Sequence, residues 1–192
     1  MKLVVRKWME EDAEVIYRIL SETWHDAYAD FIPREDLASY LAEHYSPAKL
    51  KEAMRPPAPL EHTRQTDSVG LVVRAGPPEV SGFVAEADGA AAATMRLKFS
   101  PEEQRLYMQQ LYVLPAFQGS GVGKQLLLKA VQEAKRRGLR QLWFGVMEKN
   151  EQALAWYRKY GFTVEKKEPF MMGATAVNHF IGYIPLAAFD AQ

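Results

Sequence analysis

The fold is decided by residues 111 to 126, which read Leu111-Tyr112-Val113-Leu114-Pro115-Ala116-Phe117-Gln118-Gly119-Ser120-Gly121-Val122-Gly123-Lys124-Gln125-Leu126. The pattern is typical of an apolar strand, a turn bounded by proline, a glycine-rich loop and the first turn of an amphipathic helix. Glycines let the loop backbone approach a ligand and adopt φ values that a Cβ forbids. The free N–H groups and the positive dipole end of the helix converge there, so the stretch predicts a phosphate site.

Two common phosphate-binding loops do not match this stretch. A P-loop has a glycine separated by four residues from its Gly-Lys pair and a hydroxyl residue after that pair, but Gln118 and Gln125 occupy those places. A dinucleotide fingerprint has its third glycine where this chain has Lys124. What remains is Gln-x-x-Gly-x-Gly after a strand. A glycine-rich surface turn without a ligand is the alternative for this loop taken alone.

The composition is that of an ordinary globular protein of 192 residues, which can bury one core. Its 24 basic and 24 acidic residues cancel, whereas nonspecific nucleic-acid binding depends on clustered positive charge. It has no cysteine, which excludes disulfides and thiolate chemistry. Neither a signal peptide nor a run of about 20 apolar residues is present. We expect a cytoplasmic protein with no nucleic acid, membrane or metal as partner.

The N-terminal third predicts a short strand over Leu3 to Arg6, followed by helices. Apolar residues at helical spacing indicate a first helix from Ala13 through Trp24, and a second is predicted over Asp36 to Tyr45. Ser46 and Pro47 predict the start of a third that ends near Met54. The aromatic-rich bend after the first helix brings together Trp24, His25, Asp26 and Tyr28. This cluster fits either packing or a substrate pocket.

The remaining chain predicts a mixed sheet. Asp88-Gly89 indicates a hairpin, and residues 70–81 fit an additional hairpin or an inserted loop, with Leu71 to Val73 as a strand. A strand, a helix ending at Gly138 and an apolar strand over Leu142 to Val146 predict parallel neighbours. Asn150 caps a helix over Glu151 to Tyr160, and three short strands follow, near 162–164, 170–173 and 180–184. We predict one α/β (α+β) domain spanning 1–192 with a mixed, twisted central sheet.

A second motif lies after the last predicted crossover. Asn150, Ala153 and Tyr157 share one face of a helix that ends at Gly161-Phe162. With the glycine loop, this block resembles the GCN5-related N-acetyltransferase (GNAT) superfamily, mainly over Leu111 to Phe162. The helical region from Ser21 to Met54 is similar, more weakly, to PaiA-type polyamine acetyltransferases.

The resemblance implies a GNAT-like domain with helices on both sheet faces and two strands that splay apart at the cofactor site. It implies acetyl-CoA as cofactor, with its pantetheine arm on the backbone of Leu111 and Val113 and its pyrophosphate on the amides of Gly119 to Lys124. The full cofactor set that it implies is Leu111, Tyr112, Val113, Gln118, Gly119, Ser120, Gly121, Val122, Gly123, Lys124, Asn150, Ala153 and Tyr157.

Two catalytic roles follow from the resemblance. The N–H of Leu111 would stabilise a developing oxyanion, and Tyr157 would supply a proton to the leaving thiolate, with packing as the alternative role of Tyr157. Trp24, Tyr28 and Tyr107 are expected to contact the acceptor. Many members carry a glutamate near the place of Tyr107, which this chain lacks. The remaining candidate bases are Glu102, Glu103, His25, Asp26 and His179.

The predicted function is transfer of an acetyl group from acetyl-CoA to a primary amine of a small, polyamine-like molecule by direct attack. Acetylation of a protein N-terminus or lysine is an alternative within catalysis. A non-catalytic acyl-CoA-binding sensor is the alternative outside it. A small-molecule amine is the expected partner, and a homodimer is compatible with the sequence.

Overall fold

The computed structural model describes residues 1–55 and 79–190. Within these ranges, five α-helices occur in the order α1 Ala13–Tyr28, α2 Arg34–Tyr45, α3 Pro47–Met54, α4 Val122–Arg136 and α5 Glu151–Arg158. The strands are β1 Leu3–Lys7, β2 Val80–Ala87, β3 Ala90–Ser100, β4 Arg105–Val113, β5 Gln141–Met147, β6 Thr163–Met172 and β7 Thr175–Pro185. They form one sheet in the order β1-β2-β3-β4-β5-β7-β6. The sheet is mixed as predicted, because β4 and β5 are parallel while every other neighbouring pair is antiparallel.

Helices cover both faces of the sheet, and each face has its own core. On one face, which we call the α1 face, the buried side of α1 packs with α2 and α3 through residues such as Ile16, Leu20 and Leu37. On the opposite face, the α4 face, Leu126, Leu127 and Ala130 of α4 pack with α5 against the strands. Apolar spacing of 3.6 residues on α1 and α4 therefore predicted which helix sides are buried.

The hairpin predicted at Asp88-Gly89 joins β2 to β3. Both residues have positive φ, 49° and 85°, as a two-residue turn between twisted antiparallel strands requires. The strand after it begins directly at Ala90. A short polar turn then reverses the chain into β4, which occupies the centre of the sheet.

The parallel pair β4 and β5 splays apart, as the resemblance implied. The two strands pair only at Leu106 with Leu142 and at Tyr107 with Trp143, near the start of each strand. From Met108 onward no pairing joins them, so the backbone of β4 faces an open gap toward β5. Five of the seven residues of β5 are buried, with side chains on both faces of the sheet, as its apolar sequence predicted.

The C-terminal strands differ from the prediction. Of the three short strands predicted there, the first two are a single long strand, β6, which pairs along its length with β7. The exposed, charged stretch from Glu165 to Glu168 hid this continuity, because β6 is exposed from Thr163 to Pro169 and that part shows no apolar alternation. The strand predicted at Leu71 to Val73 lies outside the described residues, as does most of the segment 70–81. Among the described residues, no helix is both long and apolar enough to cross a membrane.

Candidate active site

One cavity of about 840 Å³ follows the gap between β4 and β5. Its walls come from α1, α2, β4, the glycine loop, β5, α5 and the β6–β7 hairpin. Most of the predicted site residues meet there, and these are Trp24, Tyr28, Tyr107, Leu111, Tyr112, Val113, Gln118, Gly119, Gly121, Gly123, Lys124, Asn150, Ala153 and Tyr157. Ser120 and Val122 are not part of the wall. The hydroxyl of Ser120 donates to the Phe117 carbonyl, and Val122 is fully buried in the core.

The glycine loop presents a helix N-terminus to this cavity. Gly119 and Gly121 have φ of 74° and 91°, a left-handed conformation that side chains with a Cβ rarely adopt. Gly121 is the N-cap of α4 and, being glycine, leaves the first turn without a side-chain cap. The amides of the first turn, from Val122 to Lys124, therefore keep their donors for a ligand. With the Lys124 side chain, they form a cluster of donors and positive charge that fits a diphosphate.

The gap exposes the peptide groups of Leu111 and Val113, which the resemblance implied as contacts of the pantetheine arm. The N–H of Leu114 donates to the Ala92 carbonyl at 2.9 Å, so the peptide groups of Leu114 and, by alternation, Tyr112 point toward β3. Those of Leu111 and Val113 point the other way, into the gap. The Val113 carbonyl there already accepts from Gln118 Nε2 at 3.3 Å. Leu111 and Val113 thus offer unpaired backbone donors to an extended amide-containing arm.

Gln118 connects three elements at the mouth of the gap. Besides the Val113 carbonyl, its Nε2 contacts Asp26 Oδ2 of α1 at 3.4 Å, and its Oε1 accepts from Gln152 of α5 at 3.1 Å. The prediction included Gln118 but not Gln152. No sequence pattern indicated that contact, since it joins side chains from separate elements.

The start of α5 brings the second motif to the gap. Asn150 Oδ1 accepts from the Ala153 amide at 3.0 Å, so its carbonyl oxygen serves as the N-cap predicted for it. Tyr157, one helical face along, is 7 % exposed and packs its ring on Phe144 at 4.4 Å. Among the described residues, no group hydrogen-bonds its hydroxyl. Burial, with a smaller contribution from nearby Tyr28, raises the pKa of Tyr157 well above 10, so the hydroxyl keeps its proton at neutral pH.

Comparison with known proteins decides the family. Residues 16–162 match the model of the acetyltransferase (GNAT) family, which is more than half of the chain. The chain belongs to the GNAT family. As a member, it is an acetyl-CoA-dependent N-acetyltransferase.

Relatives and solved structures agree with this assignment. The chain is 28% identical over 165 residues to the spermidine N(1)-acetyltransferase of Thermoplasma acidophilum, covering 86% of this chain and 91% of the relative. It is 36% identical over 76 residues to the streptothricin acetyltransferase of Streptomyces lavendulae, covering 40% of each. The fold is similar to the PaiA N-acetyltransferase of Thermoplasma acidophilum, solved in complex with coenzyme A, with a TM-score of 0.73, 24% identity and coverage of 96% and 99%.

The end of the cavity that lies on the α1 face is lined by aromatic rings. Trp24 lies near the centre, with the rings of Tyr28, Tyr40, Tyr45 and Tyr112 at 5.6–6.3 Å from it. The hydroxyls of Tyr28 and Tyr112 meet at 3.3 Å. Burial raises the pKa of both, so they stay neutral. Trp24 and Tyr28 were predicted at this site. The side chain of Tyr112, which was predicted for the cofactor, lies among these rings.

Three further rings of this end were not predicted. Tyr40 and Tyr45 come from α2, and Phe170 of β6 contacts Tyr40 at 5.7 Å. Tyr40 and Tyr45 are five residues apart, about 140° around a helix, so helical spacing gave no signal that both rings would line one cavity. Phe170 gave no signal either, since its strand was predicted too short. Tyr107 lines the cavity from β4, and its hydroxyl donates to Glu103 Oε2 at 2.7 Å.

The five candidate bases of this acetyltransferase differ in their positions relative to the cavity. Glu102 and Glu103 lie outside the cavity, and Glu103 is held by Tyr107. His25 is exposed and is not part of the wall. Asp26 lies at the mouth beside Gln118. His179 lies inside, on β7, where burial lowers its pKa.

Proposed function

We propose that this acetyltransferase moves the acetyl group of acetyl-CoA to the primary amine of a small, polyamine-like molecule by direct attack. The observation that carries the proposal is the continuity of one cavity from the glycine loop, across the gap between β4 and β5, to the aromatic rings around Trp24. Tyr157 lines that cavity. A donor held on one side can therefore meet an acceptor held on the other.

The residues present fit coenzyme A. The amides at the start of α4 and the Lys124 side chain suit its diphosphate. The peptide groups of Leu111 and Val113 suit the amides of its pantetheine arm, and Asn150 and Ala153 border the same groove. When bound, acetyl-CoA supplies an acetyl group activated as a thioester.

Two groups of the chain act on the reacting atoms. The N–H of Leu111 points into the gap, where it can donate to an oxygen that gains negative charge, and it does so without a charged side chain. The Tyr157 hydroxyl holds a proton that a thiolate can accept, because burial keeps the tyrosine neutral. These are the catalytic roles that we assign to Leu111 and Tyr157.

The acceptor class rests on the aromatic walls and on Asp26. Rings of tryptophan and tyrosine attract ammonium groups through their faces. Asp26 adds a carboxylate at the mouth of the cavity. The similarity to a spermidine acetyltransferase supports a polyamine-like acceptor. Trp24, Tyr28 and Tyr107 are the residues that we assign to acceptor binding.

The test is a thiol-release assay with acetyl-CoA and a panel of acceptors. We expect release with polyamines or other small primary amines and little release with peptides bearing a free N-terminus or lysine. Faster release with the peptides would favour the alternative of protein acetylation. Tight binding of coenzyme A in calorimetry, with no release over any acceptor, would favour the acyl-CoA sensor instead.

A further inference from the structure

We propose that His179 accepts the proton of the attacking ammonium group, and that Gly145 opens the path from the cavity to the imidazole. The inference rests on the proposed function, because it assigns the base of that reaction. Among the residues that the structure describes, these two lie together on the α1 face, beside the gap between β4 and β5.

Gly145 leaves space in the wall that β5 forms, because it has no side chain. Its neighbours on β5, Phe144 and Val146, are buried, whereas Gly145 is exposed and lines the cavity. A Cβ built at Gly145 would lie 2.9 Å from Ile181 Cδ1 and 3.9 Å from His179 Nδ1. Glycine inside a strand often marks a close approach by a ligand. Here the missing side chain leaves the imidazole accessible from the cavity.

His179 is held in place without using its nitrogens. Its ring stacks on Phe170, with the centroids 4.5 Å apart and the planes 25° from parallel. Within the described part of the chain, it makes no hydrogen bond or ion pair. One ring nitrogen of a neutral imidazole is a proton acceptor, so His179 has a free acceptor site in the wall of the cavity.

The surroundings of His179 favour its neutral, unprotonated form. Opposite it on β6 lies Glu168, whose carboxylate is bound by Lys166 at 2.6 Å. On β5 it faces Gly145 and Met147, and on β7 its neighbours on the same face are Val177 and Ile181. Beyond Phe170, α2 contributes Tyr40, with His44 behind it. Burial lowers the pKa of His179 below 6.5, so the imidazole is unprotonated and ready to accept at pH 7.

The protons of the reaction balance with this assignment. The ammonium group gives one proton to His179, and its nitrogen lone pair forms the bond to the acetyl carbon as the carbon–sulfur bond breaks. The sulfur receives the proton of Tyr157, and the second proton leaving the nitrogen returns through water to Tyr157. His179 then releases its proton to solvent, so each turnover yields the amide, the free thiol and one proton.

The test compares His179→Ala with His25→Ala, which removes an exposed histidine of α1 that is not part of the cavity wall. We expect His179→Ala to lower kcat about a hundred-fold at neutral pH and to leave the KM for acetyl-CoA unchanged. Its kcat should then rise with pH toward the pKa of the free amine, and added imidazole should restore part of it. His25→Ala should keep the wild-type profile. A merely structural role of His179 would give neither the altered pH profile nor the rescue.

A second measurement does not depend on how the variants fold. In the wild-type protein, the NMR titration of the His179 ring should give a pKa below 6.5 that coincides with the low-pH limb of kcat. A titration that does not match this limb would overturn the inference, as would a folded His179→Ala with unchanged kcat and pH profile. Absence of acetyl transfer by the wild type to every amine tested would instead overturn the proposed function, and the inference with it.

Discussion

Tyr157 has the properties that the proposed proton donor needs. Its ring is wedged between Phe144, Trp156 and Phe162, which fixes the direction of the hydroxyl. Removal from water disfavours the phenolate, so the pKa rises and the hydroxyl stays protonated across the neutral range. The leaving thiol has a pKa of about 8.5, lower than that of Tyr157, so the tyrosine gives its proton to the sulfur only as it receives one from the attacking nitrogen through water.

Tyr157→Phe tests this role directly. We expect turnover to fall about ten- to a thousand-fold, because the proton donor is lost while the ring packing is kept. The affinity for coenzyme A should change little, which calorimetry can measure. Tyr17→Phe, on α1 and outside the cavity wall, is the matched control and should keep wild-type turnover. Unchanged turnover in Tyr157→Phe would remove the residue from the mechanism.

The buried environment of Gln110 leads to a second prediction, which concerns the stability of the folded protein. It lies on β4, is 3 % exposed, and neither polar atom of its side chain has a hydrogen-bond partner in the described ranges. Burying an unpaired amide costs about 1–3 kcal/mol. Methionine has a similar length and no such cost.

We therefore expect Gln110→Met to raise the free energy of unfolding in urea by about 1 kcal/mol. Gln109→Met changes the exposed neighbour and should shift the free energy of unfolding by no more than about 0.5 kcal/mol. A loss of stability in Gln110→Met would mean that the amide has a partner, such as a buried water, that stabilises the folded protein.

At the scale of elements, α2 is fastened to the turn between β6 and β7. Asp36 Oδ1 accepts from the Ala174 amide at 3.0 Å, and Oδ2 accepts from Thr175 Oγ1 at 2.5 Å. Gly173 sits beside it with φ of 61°, and a Cβ there would lie only 2.5 Å from Asp36 Oδ1. Tyr40 of α2 and Phe170 of β6 both line the cavity where we propose that the acceptor binds. The Asp36 contact therefore sets the distance between these two sides of the acceptor site.

Asp36→Ala should therefore weaken binding of the acceptor amine and leave binding of acetyl-CoA nearly unchanged. We expect the KM for the amine to rise several-fold while the KM for acetyl-CoA stays close to the wild-type value, because the glycine loop is on a different part of the sheet. Initial rates with each substrate varied in turn measure this difference. Glu35→Ala, an exposed neighbour on α2, is the control. An equal rise in both KM values would contradict the separation of the two ends.

At the scale of the whole molecule, one ion-pair group joins the sheet to the helices of the α1 face. Arg6 of β1 binds Asp12, at the entry to α1, at 2.7 Å and 2.8 Å, and Glu86 of β2 at 2.7 Å. Burial tends to raise the pKa of Asp12, but hydrogen bonds from Arg6 and from the Met9 amide outweigh it, so the pKa is lowered. The carboxylate is nearly buried, whereas Arg6 is partly exposed.

The lowered pKa of Asp12 determines the direction in which the free energy of unfolding changes with pH. A depressed carboxyl pKa stabilises the folded protein above the unfolded value, near 3.8, and this contribution is lost as the pH falls through the folded value. Asp12→Asn should lower the free energy of unfolding by about 2 kcal/mol at pH 7. The difference from wild type should shrink below about pH 3.8. Urea unfolding across pH measures it, with exposed Asp30→Asn as control, and a difference independent of pH would contradict the assignment.

The sequence alone determined the features that depend on neighbours along the chain. The glycine positions and the spacing of Asn150, Ala153 and Tyr157 specify a loop and a helix face, because φ and the 3.6-residue period are local properties. The strand, helix, strand order likewise determined the parallel pair, since a crossover connects parallel neighbours. These patterns were sufficient to predict a mixed sheet with a parallel pair, the glycine loop and the family resemblance.

Only the tertiary structure decided which distant side chains meet. Gln118 reaches Asp26 across 92 positions, and Asp36 reaches Ala174 across 138. Of the five candidate bases, Asp26 and His179 line the cavity, and His179 does so beside Gly145 with its ring stacked on Phe170. Local patterns carry no information about such contacts, because they depend on how the helices of the α1 face pack on the sheet and on how far β4 and β5 separate.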